Sequence, residues 1–135
     1  MHEAGELTAY YLARLRDEDA EDAFFGLIEA GPAVLPALID AYGRDENRDI
    51  RGRIVECVWQ LRGPEAIGFL ADRLLDPDPG VWQQALNGLV ALGGPGALRA
   101  LQTVRSGLPA GQPRSGITAE WIDEAVEQIR EAAAK

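Results

Sequence analysis

Between Asp76 and Leu101 the chain reads DPDPGVWQQALNGLVALGGPGALRAL, and its apolar residues recur at helical spacing. Val81, Ala85, Leu86, Leu89 and Leu92 fall on one side of a helix, which predicts a stripe turned towards a core. Asp78 is suited to cap that helix, with Pro79 at the first helical position, where its missing N–H costs nothing. Gly93 and Gly94 end it, because glycine enters the left-handed conformation without a Cβ penalty, and Pro95 starts a second helix almost at once. Ala97, Leu98, Leu101 and Val104 carry the apolar pattern onward. The expected unit is a tight helical hairpin with two stripes facing each other.

That unit recurs. Gly-Pro stands at 31-32, 63-64 and 94-95, spaced by 32 and then 31 residues, within the range of stacked helical repeats. After each proline, AVLPALIDAY, EAIGFLADRL and GALRALQTVR align without gaps, and IRGRIVECVWQLR from Ile50 aligns with VWQQALNGLVALG from Val81. The first copy, EDAFFGLIEA, is shorter and needs a one-residue slip. These residues resemble the HEAT-repeat family, especially its bacterial PBS-lyase-like form. Asp49, Ile50, Arg51, Leu61, Gly63, Pro64, Glu65, Ala66, Ile67, Leu70 and Asp76 match that pattern nearly in full. Trp82 departs from it, standing where Arg51 stands one repeat earlier.

The resemblance implies an all-α, right-handed solenoid of about three hairpins, at 17–44, 45–76 and 77–106, in a single domain over 1–135. It also implies that the second helix of each hairpin lines a concave face, and that Arg51 clamps neighbouring repeats. Helices at 4–16 and 118–134 are expected to cap the stack, because terminal repeats need one polar face. In the first, Leu7, Tyr11, Leu12 and Leu15 lie on one side; in the last, Trp121, Ile122, Ala125, Val126 and Ile129 form the stripe. Phe24, Phe25, Leu27 and Ile28 are the expected buried face of helix 20–30. Pro36 falls at the end of a first turn that begins at Pro32, where it bends the helix only slightly. Arginines at 48, 51 and 53 oppose the dipole of the helix they open, so Asp45, Asp49 or the preceding loop are their expected partners.

Length and composition leave this picture standing. The chain has 135 residues, 47% of them hydrophobic, enough for one continuous core. A single cysteine excludes an internal disulfide framework, and with no long apolar run the expectation is a soluble, cytoplasmic protein. The net charge of −9 is uneven: residues 1–30 carry −6, residues 31–117 balance, and residues 118–135 carry −3. Acidic ends disfavour nucleic acid and anionic membranes, and steer a basic protein towards them.

Candidate chemistry is sparse. His2 is the one histidine, which argues against histidine catalysis or a zinc site. Cys57 shares a helical turn with Ile54 and Leu61, as a packed thiol would. The run DEDAED at 17–22 lacks the bend and ligand spacing of a calcium loop. In GLPAGQPRSG, Arg114 has no Walker spacing or lysine around it. No catalytic residue, metal ligand or cofactor is therefore expected.

What remains is contact surface. On the second helices, Asp40, then Phe69, Asp72 and Arg73, then Arg99 face away from the expected core, a mixture suited to protein contact. Trp59 and Trp121 are expected to be structural, whereas Trp82 is either packed on a neighbouring element or, if exposed, the leading interface hot spot. The expected function is a non-enzymatic protein-binding module, with an immunity or inhibitor protein against a basic toxin or enzyme as its sharper form. A regulatory scaffold or bilin-lyase-like protein is the alternative.

Overall fold

The computed structural model describes residues 20–44, 47–63, 65–108 and 116–134, with residues 10, 13 and 14. Seven α-helices account for nearly all of these: α1 (Ala20–Ala30), α2 (Leu35–Arg44), α3 (Arg48–Gln60), α4 (Ala66–Arg73), α5 (Pro79–Leu92), α6 (Gly94–Gly107) and α7 (Ala119–Ala134). A short 3₁₀ helix, Pro32–Val34, leads into α2. Pro36 is thus the second residue of α2, where a missing N–H breaks no helical bond, rather than the end of an α-helical turn begun at Pro32.

The helix ends follow local chemistry. The Asn47 side chain accepts from the Asp49 and Ile50 amides at 2.9 and 3.2 Å and so starts α3. Asp78 starts α5 by accepting from the Gly80 amide at 3.0 Å, with Pro79 following it. A positive φ opens each turn, at Gly31 (85°), Arg62 (61°) and Gly93 (61°), spaced by 31 residues, and Gly94 (79°) adds a second in the last turn. The turn therefore keeps register where Gly-Pro does not, which accounts for the slip in the first copy: its turn has one residue fewer before the proline. Arg62 adopts at the second turn a backbone conformation that costs a non-glycine residue about 1 kcal/mol. Its guanidinium donates to the Ala91 carbonyl at 3.2 Å and lies 5.6 Å from the Trp59 ring centre.

Three hairpins, α1/α2, α3/α4 and α5/α6, stack side by side as an α-solenoid. First helices form one layer, in which α1 packs on α3 and α3 on α5; in the other layer α4 packs on α6. The helix α7 rests on both α5 and α6, in the place of a fourth first helix. Leu27, Leu38, Ile54, Leu70, Leu74, Leu89, Leu101 and Ile122 are fully buried between the layers. Close approach of α3 and α5 depends on glycine. A Cβ on Gly88 would stand 2.5 Å from the Trp59 Cβ, and one on Gly52 would meet the Gly80 carbonyl at 3.4 Å.

Two aromatic positions depart from the periodicity. Phe25 is 54% exposed and stacks edge-on against half-buried Phe24, because among the described residues α1 has a neighbour on only part of the face that helical spacing assigns to the core. Trp121 is 46% exposed for the same kind of reason, standing at the margin between α7 and α5. Apart from residues 10, 13 and 14, the expected cap at 4–16 lies outside the described residues, as do residues 17–19 of the acidic run and the centre of the loop carrying Arg114.

Candidate functional site

One polar cluster joins side chains or backbone from all three repeats at one point. Arg51, on α3, uses one terminal nitrogen to donate to Asp76 Oδ2 at 3.0 Å and to the Tyr42 hydroxyl at 2.7 Å. Tyr42, at the end of α2, donates in turn to the same Asp76 oxygen at 2.7 Å, closing a three-membered ring of hydrogen bonds. The other Asp76 oxygen accepts from the Asp78 amide at 2.9 Å, which ties the cluster to the start of α5. Arg51 is therefore a clamp, and its acidic partner among the described residues is Asp76, at the far end of its own hairpin, rather than Asp49; Asp45 lies outside the described residues. Helical sequence distance conceals this, since the hairpin folds residue 76 back beside residue 51.

Burial shifts the titration of Tyr42. Loss of hydration, followed by the hydrogen bond and negative charge of Asp76, pushes the Tyr42 hydroxyl up to about 12. Arg51 stacks over the Tyr42 ring at 4.5 Å from its centre, and Arg73 also approaches that ring, at 4.8 Å. Arg73 lies 5.0 Å from the centre of Phe69, which meets Tyr42 edge-on at 5.4 Å and 88°. These side chains bridge α2 and α4.

The predicted contact residues accordingly divide. Phe69 and Arg73 are half-buried and held by Tyr42, so they form a fixed platform rather than freely projecting groups. Asp40, Asp72 and Arg99 are exposed on α2, α4 and α6. Asp40 pairs with Arg44 at 2.7 Å across one helical turn, a surface pair of little energetic consequence. Trp82 does not belong with them: it is only 4% exposed and packs edge-to-face on Trp121, with ring centres 5.5 Å apart. An apolar ring replaces the polar family position because α7 has come to cover it. The exposed tryptophan of the pair is Trp121, which sequence periodicity assigns to the core.

Trp59 is half-buried, and its indole N–H donates to Gln84 on α5 at 3.1 Å, so it joins repeats as expected of a structural residue. Tyr42 is the residue that sequence reasoning missed. Its signal was an aromatic residue closing a second helix within reach of an arginine clamp. Cys57 is wholly buried and its thiol is pushed up to about 12, chiefly by desolvation and then by the nearby Glu56 charge. Among the described residues, no three His, Cys, Asp or Glu side chains stand together as a metal site would require. No helix among them is long and apolar enough to cross a membrane.

The family model for HEAT repeats matches residues 35–107, just over half of the chain. The chain is a HEAT-repeat protein. The match spans α2 to α6 and so contains the whole Tyr42–Arg51–Asp76 clamp and both of the better-conforming hairpins. No curated protein and no solved structure gives a significant match. HEAT repeats generally mediate protein–protein contacts, and the family is typically a non-catalytic scaffold.

Proposed function

We propose that this HEAT-repeat protein is a non-enzymatic, cytoplasmic binding module that recognises a basic protein through the outer face of its second helices, acting as an inhibitor or immunity protein for a basic toxin or enzyme. The observation that carries this reading is the Phe69–Arg73 platform. An aromatic ring and a guanidinium, held in place against Tyr42 before any partner arrives, lose little side-chain freedom on binding. Exposed Asp72 stands next to them, with Asp40 and Arg99 on the flanking helices. Mixed charges of this kind set register and orientation, while the net charge of −9 raises the rate of encounter with a basic partner.

The test is capture of a partner from native lysate at two salt concentrations, comparing wild type with Asp72→Arg and Arg99→Glu. Both side chains are exposed, so neither change disturbs the core. A single basic protein recovered at fixed stoichiometry, weakened by salt and by both variants, is the expected result. Recovery equal in wild type and variants would remove the second-helix face from consideration.

A further inference from the structure

The first-helix layer carries a separate docking feature. Between α5 and α7 lies a shallow cleft of about 90 Å³, lined by Leu86, Asn87 and Val90 on one side and by Trp121, Glu124 and Gln128 on the other. Trp121 forms its most exposed apolar wall, 46% accessible, and is held from beneath by the buried Trp82 ring. The α5 side is uncharged, because no charged residue occurs anywhere in PGVWQQALNGLVAL. The α7 side is bordered by exposed Glu120 and Glu124, and Glu124 lines the cleft itself. By helical phase these two lie on the outer flank of Trp121, whereas Asp123, Glu127, Arg130 and Glu131 together line a separate surface of α7.

We propose that this cleft docks a basic amphipathic helix of a protein partner, which seats one aliphatic side chain against Trp121 and sets its lysines or arginines over the α7 carboxylates. A groove between two neighbouring helices accepts a third helix by its apolar face, and the shallow volume limits it to a single anchor side chain. Charge decides the occupant. A second copy of this acidic chain would place carboxylate against carboxylate, and a nucleic acid or anionic membrane would meet the same repulsion. The cleft beside Phe25, by contrast, mixes Arg53 with Glu21 and Glu56 and selects no sign of charge. This surface lies in the opposite layer from Asp72 and Arg99, so it does not rest on the second-helix reading.

The probe is a synthetic amphipathic helix of lysine and leucine, titrated into the full chain and followed by amide and indole NMR shifts. A peptide with glutamate in place of every lysine is the control. Shifts centred on Asn87, Val90, Glu124, Gln128 and the Trp121 indole are expected. Trp121→Ala should weaken binding at least about thirtyfold, as for a hot-spot tryptophan. Because that change also uncovers Trp82, the charge reversal Glu120→Lys/Glu124→Lys provides an independent check, with a loss of about tenfold and an unchanged melting temperature. No binding at millimolar peptide, equal binding of the glutamate control, or undiminished binding by the reversal variant overturns the proposal. Shifts confined to Asp40, Asp72 and Arg99 overturn it too, while favouring the second-helix surface.

Discussion

Removing the Arg51 side chain should destabilise the whole stack rather than one helix. Arg51→Ala deletes two hydrogen bonds from one nitrogen, at 3.0 Å to Asp76 and 2.7 Å to Tyr42, and leaves the Asp76 carboxylate behind. The Asp76 side chain is only 10% exposed, so its lost partner is not replaced by bulk water. Breaking a buried pair from one side costs about 3–5 kcal/mol. Tyr42 and the Asp78 amide still donate to Asp76, and Arg51 is 27% exposed, so about 2–4 kcal/mol is the better expectation here. With an unfolding entropy proportional to chain length, that loss lowers the melting temperature by roughly 7–14 °C. Urea denaturation of wild type, Arg51→Ala, Asp76→Ala and the double variant supplies a cycle from which the pair's coupling is read. Removing both groups should cost less than the sum of the single losses, since the double variant strands no charge. A single-variant loss below about 0.5 kcal/mol, or additive losses, would refute the clamp as a stabilising device.

Gly88→Ala should destabilise by about 1–3 kcal/mol in the same denaturation assay, since the new methyl meets Trp59 at 2.5 Å and α3 and α5 must separate; a neutral result would mean that the ring swings away freely. Arg62→Gly and Arg62→Ala both lose the Ala91 and Trp59 contacts, but only glycine relieves the positive φ, so the glycine variant should be the more stable of the two by about 1 kcal/mol, and equal stabilities would contradict the strain. The raised Tyr42 hydroxyl favours the folded state fully below its ordinary value of 10, and this contribution disappears as pH rises towards about 12, because the unfolded chain ionises first. The stability gap between wild type and Tyr42→Phe should therefore narrow across that interval, and a constant gap would contradict it. Cys57 should resist an aromatic disulfide reagent at about pH 8 until the protein unfolds, and rapid labelling of the native chain would show that the thiol is not sealed.

Much of this architecture is legible in residues. Asp78 and Pro79 mark the start of α5, and Gly93 its end, because caps and turn residues act on the backbone within a few positions of themselves. The apolar spacing of Leu70, Leu89 and Leu101 identifies the core faces, since a helix shows one side to its neighbours. The acidic character of α7 and the uncharged character of α5 are likewise plain in the amino acids alone.

Only the tertiary structure decided how those helices share their margins. Trp82 and Trp121 both stand near the start of a helix, Trp121 within its apolar stripe and Trp82 beside one, yet Trp82 is buried and Trp121 half open. Periodicity orients a side chain about its own helix axis; the approach of α7 to α5 determines which ring is covered and which becomes the wall of a cleft. Arg51 shows the same division. Its charge near a helix start announces a need for an acidic partner, but that partner lies 25 residues away and is brought within 3.0 Å by the hairpin turn. Tyr42 joins them from the preceding repeat because stacking, not sequence proximity, carries one unit's last side chains onto the next unit's first helix.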